Sequence, residues 1–252
     1  METINIVKIW SDSINDNNLE KIILDAKKWQ NKTWEKFVFI SSGAVKLWKD
    51  RVSDIWKELN NLLSSSLASI WQKFLMQKYW EFLWKKELIW EVLIDDYADE
   101  KHLSDTLNNL LNNDIWIVIN HNDTLHSTEL GNVCDKNDND KNTVFISKLF
   151  NKFLKEKIIK NVIYLTNTNW LLDEDKSTIL GWKINDEKDK NYYRNFVEEN
   201  KSNSWTGGMK SKLDCWFKVL EYWVERVIIS NANKWLNCLS FLGDYTSFYI
   251  NK

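Results

Sequence analysis

The chain has 252 residues with 34 basic and 36 acidic side chains and a net charge of −2, so it lacks the excess of positive charge that non-specific nucleic-acid binding needs. No stretch approaches the roughly 18 apolar residues of a membrane span, and the opening METINIVKIW has no basic region ahead of a long apolar core; a cytoplasmic protein with no nucleic-acid and no membrane partner is expected. Cys134, Cys215 and Cys238 are odd in number and far apart, which points to buried or idle thiols rather than a disulfide framework or a zinc pattern.

Ile4 to Ile9 is a short, β-branched apolar run, the mark of a buried parallel strand, and it carries Lys8 near its end. A lysine closing a first strand is placed either to reach a phosphate or to lie on an exposed edge. Leu19, Ile22, Ile23 and Ala26 recur at helical spacing over Asn18 to Trp29. Phe37 to Ile40 reads as a second strand running straight into Ser41-Ser42-Gly43-Ala44-Val45. Small-residue turns of this kind bind ligands at the carboxyl ends of parallel strands, and Ser42 with the Gly43 N–H suits a carboxylate or a phosphate. Val52 to Trp84 is helical through Leu62, Leu63, Leu67, Ile70, Phe74 and Leu75, a stripe that reads first as core or subunit contact. Leu88 to Ile94 is a third strand, His102 to Leu111 a helix, and Ile115 to Ile119 a fourth strand.

The most polar region follows: Asn120-His121-Asn122-Asp123-Thr124, and then Asp135 to Asp140. The second run is not a calcium loop of the EF-hand type, which needs glycine at its sixth position and glutamate at its twelfth, where this chain has Asp140 and Ile146. Both runs follow a strand end, as catalytic loops in α/β sheets do, although a solvated acidic turn gives the same composition. His102, His121 and His126 form no metal-ligand spacing. Thr143 to Ile159 is helical, and Asn161 to Leu165 is a fifth strand leading into Thr166-Asn167. Asp173 to Asn203 is charged, low in apolar residues, and reads as an exposed excursion.

Next comes Ser204 to Leu213, where paired Gly207-Gly208, Lys210 and Lys212 stand at the start of a helical pattern over Met209 to Tyr222. Adjacent glycines let backbone N–H groups approach an anion, and a helix N-terminus adds its positive dipole end. An ordinary surface turn has the same ingredients. A strand over Val227 to Ile229, a turn over Asn231 to Lys234 and a last strand over Ser247 to Ile250 complete the chain. Strands and helices alternate throughout, which predicts an α/β fold: a mainly parallel sheet sandwiched between helices, as one domain over 1–252.

Composition carries one anomaly: 16 tryptophans stand against 6 glycines, and there is no proline. Average glycine usage is roughly 7%, so the chain is short of residues that accept positive φ at turns and helix ends. Tryptophan stands where they belong. Trp34 precedes the second strand, Trp170 follows Thr-Asn in a turn, and Trp223 ends a helical run before a strand. Two readings account for this: a truly tryptophan-rich chain, or a gene whose UGA codons specify glycine but have been translated as tryptophan.

In this order the loops resemble the amino-acid kinase superfamily and, within it, glutamate 5-kinase. Ser41 to Val45 is similar to that family's SSGAV, Asn120 to Asp123 to its NEND, Asp138-Asn139-Asp140 to its GDND, and Thr206 to Lys212 to its TGGMxTK. Trp10, Trp48, Trp71, Trp170 and Trp205 fall where the family has glycine, which favours the recoding. The resemblance implies the αβα sandwich of amino-acid kinases and ATP-dependent phosphorylation of the γ-carboxylate of L-glutamate, the first step of proline biosynthesis, with Mg²⁺ accompanying ATP. It implies that Lys8 and Lys212 neutralise the transferring phosphoryl group, with Asp140 organising them. It places Ser42, Gly43, Asp123 and Asn139 on glutamate, and Thr166, Asn167, Thr206, Gly207, Gly208, Met209, Lys210, Ser211 and Lys212 on the nucleotide, its phosphates and Mg²⁺, with no metal held by protein side chains alone. It further implies a homo-oligomer, feedback inhibition by proline, and a chain without the family's carboxy-terminal RNA-binding-like (PUA-like) domain.

The chain departs from the family at three points: His121 stands for glutamate, Asn137 for the glycine before DND, and Asn167 for aspartate. The alternatives left open are another kinase of the superfamily, acting on acetylglutamate, aspartate, carbamate or UMP, and a non-catalytic binding protein of the same fold.

Overall fold

In a computed structural model of the chain, residues 1–10, 13, 16–41, 64–83, 87–95, 98–122, 139–166, 182–199, 208–240 and 245–249 are described. Their strands are β1 (Glu2–Ile9), β2 (Lys36–Ser41), β3 (Ile89–Ile94), β4 (Trp116–His121), β5 (Lys157–Thr166), β6 (Trp182–Lys183), β7 (Arg226–Asn231) and β8 (Thr246–Tyr249). Their helices are α1 (Asp16–Thr33), α2 (Ser64–Phe82), α3 (Glu100–Asn112), α4 (Asn139–Phe153), α5 (Glu187–Glu199), α6 (Gly208–Glu221) and α7 (Trp235–Leu239).

The strands form one sheet in the order β3-β4-β2-β1-β5-β7-β8-β6. Neighbours are parallel from β3 to β7, β8 turns antiparallel to β7, and β6 runs parallel to β8. β1 is buried from Ile4 onward, as a central parallel strand covered on both faces must be. Side chains alternate across the sheet. Ile4, Ile6, Val38, Ile40, Ile117, Ile119, Val162, Tyr164, Val227 and Ile229 pack against α3, α4 and α6. Val7, Ile9, Phe37, Phe39, Val118, Ile163, Leu165 and Ile228 pack on the other side against α1, α2 and α7. The sandwich expected from the alternation of elements is the fold observed. Of the cysteines, Cys238 is buried in the second layer and Cys215 is half-buried.

Several boundaries differ from the sequence reading. The helix expected over Thr143 to Ile159 begins earlier, at Asn139, and ends at Phe153, because Lys157 to Ile159 belong to β5. Apolar Ile158 and Ile159 fit either periodicity. Pairing decides between them: Glu2 to Ile4 run beside Lys157 to Ile159, and an ion pair between Glu2 and Lys157 fixes the register. The stretch read as an exposed excursion holds β6 and α5. Tyr193 of α5 is buried edge-on to Phe248, 5.2 Å between ring centroids, and Arg194 is ion-paired with Asp214 of α6 at 2.6 Å. A buried aromatic and two ion pairs to α6, the second between Lys190 and Glu221 at 2.9 Å, dock a helix whose composition reads as solvated. α7 was not expected; Trp235 and Leu239 turn the segment after β7 back onto the core. Of the long helix expected over 52–84, Ser64–Phe82 is seen, and 52–63 and 84 lie outside the described residues.

Candidate functional site

The parallel strands β1, β2, β4, β5 and β7 all end on the same edge of the sheet, and α4 and α6 begin there. Both helices lie on one face and pack together through Ile146, Leu149, Phe150, Leu213, Trp216 and Phe217. Their amino termini bring orphan N–H groups and the positive ends of two dipoles to the same edge.

Lys8 lies one residue from the end of β1, beside Ile40 of β2 and Tyr164 of β5. Strand alternation puts it on the face of Ile6 and Trp10, toward α4 and α6, where its side chain is 1% exposed. An ammonium at that depth is electrostatically strong, because little water screens it. Asp140 sits in the first turn of α4 and is equally buried; a carboxylate there is favoured by the helix dipole.

Two residues after Lys8, on the same face, stands the indole of Trp10. Its Nε1–H donates to Asp140 Oδ1 at 3.3 Å, and the ammonium of Lys212 lies 3.5 Å from the ring centroid. One aromatic side chain thus bridges the carboxylate of α4 and the cation of α6. The backbone of Trp10 is pinned as well: its N–H donates to the Leu165 carbonyl at 3.2 Å, and its carbonyl accepts from the Ser13 N–H at 2.9 Å. Beneath Asp140, the Thr143 hydroxyl meets the Asp140 carbonyl and the Tyr164 hydroxyl, and Ser147 Oγ donates to the Thr143 carbonyl at 2.7 Å. The chain Ser147, Thr143, Asp140 and Tyr164 fixes how α4 meets β5.

The structure therefore brings Asp140 and Lys212 to one indole, with Lys8 buried on the same face two residues before it. Thr166 ends β5 one strand away, fully buried, with its carbonyl accepting from the Ala232 N–H at 2.8 Å. Asn139 opens α4, and Gly208, Met209, Lys210 and Ser211 form the opening of α6, the helix start the sequence suggested. Ser42, Gly43, Asp123, Asn167, Thr206 and Gly207 lie outside the described residues. The two segments that lead to them are anchored. Ser41 is buried at the end of β2, and Asn122 donates its N–H to the Ile94 carbonyl at 2.8 Å just before Asp123. Sequence reasoning missed Thr143 and Tyr164; the only signal was a threonine one helical turn after Asp140. Among the described residues no group of three or more His, Cys, Asp or Glu side chains is placed to hold a metal ion, and no helix is long and apolar enough to cross a membrane.

No family model matches the sequence, and neither does any curated protein. Solved structures match over the whole chain. Carbamate kinase from Giardia lamblia bound to AMP-PNP superposes with a TM-score of 0.64 at 12% identity, over 99% of each chain. N-acetylglutamate synthase from Neisseria gonorrhoeae, complexed with coenzyme A and L-arginine, gives 0.63 at 12% identity, over 98% of this chain and 61% of that one. Isopentenyl phosphate kinase from T. acidophilum, as a product complex, gives 0.58 at 11% identity, over 98% and 100%. These neighbours are members of the amino-acid kinase superfamily, and the chain has their fold.

Proposed function

We propose that the protein is a phosphotransferase that uses ATP to phosphorylate the γ-carboxylate of L-glutamate. The observation that supports this reading is that Asp140 and Lys212 meet at Trp10 where α4 and α6 begin, with Lys8 buried on the same face of β1. Two cations and two helix N-termini suit a polyphosphate. A buried carboxylate between them suits the task of holding lysines in place. The fold supports the reading too, since two of the three neighbours described are kinases and one was solved with an ATP analogue.

The residues fit the chemistry of phosphoryl transfer. A carboxylate acceptor is already a nucleophile and needs no general base, so the protein has to align the partners and neutralise charge. Lys8 and Lys212 supply that charge, Asp140 orients them, and the N–H groups opening α6 face the phosphates. ATP would supply the phosphoryl group, and an accompanying Mg²⁺ would help neutralise the phosphates, in keeping with its preference for phosphate and water ligands. Glutamate as acceptor rests on the SSGAV and NHND loops, with Asp123 as partner for its ammonium.

The test is glutamate-dependent ADP release, measured on the chain as sequenced and on Trp10→Gly, with acetylglutamate, aspartate, carbamate, UMP and isopentenyl phosphate as competing acceptors. Turnover with glutamate alone is expected. Turnover with another acceptor would keep the phosphotransferase and overturn the substrate. A folded protein that binds nucleotide without turning over would leave a binding protein of this fold.

A further inference from the structure

Three helix-to-strand connections leave their helices in the left-handed region. Among the described residues, the non-glycine positions with positive φ are Trp34 at 64°, Asp114 at 55° and Trp223 at 62°. They follow α1, α3 and α6 and lead into β2, β4 and β7. At the first exit the Trp34 N–H donates to the Gln30 carbonyl at 2.8 Å, the single bond of a helix closed by an αL residue. Glycine fills such positions because it has no Cβ to clash, and aspartate tolerates them; a bulky aromatic there is a genuine outlier. Burial does not compensate the strain, since Trp34 is 85% exposed and Trp223 65%.

Position 10 breaks a different rule. Its indole lies between Asp140 and Lys212, filling the space in which an anion would meet that cation. Other tryptophans obey ordinary packing: Trp116 is buried and stacked on Phe39 at 5.8 Å with the rings 9° apart. Among the described residues, tryptophans such as Trp116 thus pack without strain, whereas Trp34 and Trp223 hold a backbone region that a bulky aromatic does not favour.

We infer that residues 10, 34 and 223 are glycine in the protein its own cell makes, specified by UGA codons that a variant code, unlike the standard one in which UGA is a stop, turns into tryptophan. The helix exits at 34 and 223 then close without strain, and position 10 becomes a gap between Asp140 and Lys212 that admits a polyphosphate. Only the position-10 consequence rests on the phosphotransferase reading; the exits stand on backbone geometry alone.

The codons are read first: UGA at 10, 34 and 223 is expected, and UGG at any of the three overturns the inference for that position. Melting curves give an independent test. Trp34→Gly and Trp223→Gly each raise the melting temperature by about 1–4 °C, whereas Trp34→Ala and Trp223→Ala fall short of the glycine variants, since alanine keeps the Cβ. Equal gains for alanine and glycine overturn the backbone argument. Trp116→Gly, by contrast, lowers the melting temperature. Inorganic triphosphate is the probe for position 10: Trp10→Gly binds it an order of magnitude or more tighter than the chain with tryptophan. UGA codons and stabilising glycines without any gain in triphosphate binding would leave the residue identities standing and sink the phosphate site.

Discussion

Lys8→Met, made in the Trp10→Gly chain, separates a catalytic lysine from a structural one. Methionine keeps the length and most of the volume of the lysine stem, so packing beside Ile40 and Tyr164 is disturbed little. What disappears is one positive charge at a place only 1% exposed. Two unit charges 4 Å apart interact by about 1 kcal/mol in water and about 4 kcal/mol at the effective dielectric of a protein site. A lysine facing the transferring phosphoryl group realises most of that difference as charge develops in transfer, which corresponds to a loss of about 10²–10³ in kcat, the size seen when a preorganised charge-stabilising donor is removed. The KM for glutamate stays within about threefold, because uniform acceptor binding is not made through this side chain. The assay is ADP release at saturating glutamate and ATP, with near-ultraviolet circular dichroism confirming that the variant is folded. A folded variant whose kcat falls less than threefold would remove Lys8 from the chemistry and leave it as a buried structural cation.

Two further predictions concern stability. Glu35, at the amino end of β2, accepts from Asn5 Nδ2 and Trp29 Nε1, both at 2.9 Å, and from the Lys160 ammonium. Glu35→Ala leaves buried donors unsatisfied and costs about 2–3 kcal/mol, a drop of roughly 4–12 °C in melting temperature for a chain of this size. Burial alone would raise the Glu35 carboxyl, but its hydrogen bonds to Lys160, Asn5 and Trp29 hold it below the ordinary value. The stability it contributes is therefore present above the unfolded carboxylate pKa and is lost as pH falls through the folded one. Denaturant titrations should show that acid-side loss in the wild type and a flatter profile in Glu35→Ala; parallel profiles would refute the assignment. Glu91 in β3 has the opposite sign, because burial pushes its carboxyl up to about 7. Its unfolded form ionises first, so stability falls as pH rises from about 4.5 toward 7 and is level beyond. Glu91→Gln should exceed the wild type by roughly 1–2 kcal/mol at pH 8, after allowance for partial exposure, with the gain gone by pH 4; a gain independent of pH would point to packing instead.

Much of the fold was legible because parallel strands buried on both faces are written as unbroken β-branched runs. NIVKI, KFVFI, WIVIN, VIYLT and VIIS all mark real strands of the sheet. Boundaries set by tertiary pairing were not legible. Nothing local says that Lys157 to Ile159 join β5 rather than α4; the information lies in Glu2 and Asn5, about 155 residues away. α5 was hidden for a similar reason, since a helix anchored by Tyr193 and Arg194 has little apolar periodicity to show. At the site, Lys8 near the end of a strand and Asp140 in an acidic run were visible, whereas the helix that Asp140 opens reads in the sequence as starting at Thr143. Their support, Thr143 and Tyr164, was invisible, because a threonine in a helix and a tyrosine in a strand break no rule.

The tryptophans extend that logic. A sequence that folds keeps its local preferences in agreement with its global structure, and the exceptions gather where something else has been imposed. On the proposed function such an exception is Lys8, whose burial is costly unless its charge is used or paired. Exposed indoles at the exits of α1 and α6 gain little burial to offset the positive φ, and on the proposed function an indole between Asp140 and Lys212 occupies the place of an anion. Strain at active sites is retained when the surrounding structure over-determines it; at Trp34 and Trp223 the surroundings determine the backbone and leave the side chain in solvent. The conflict therefore lies in the identity of the residue rather than in the fold. One substitution type, glycine, removes it at the two exits and at the mouth of the site.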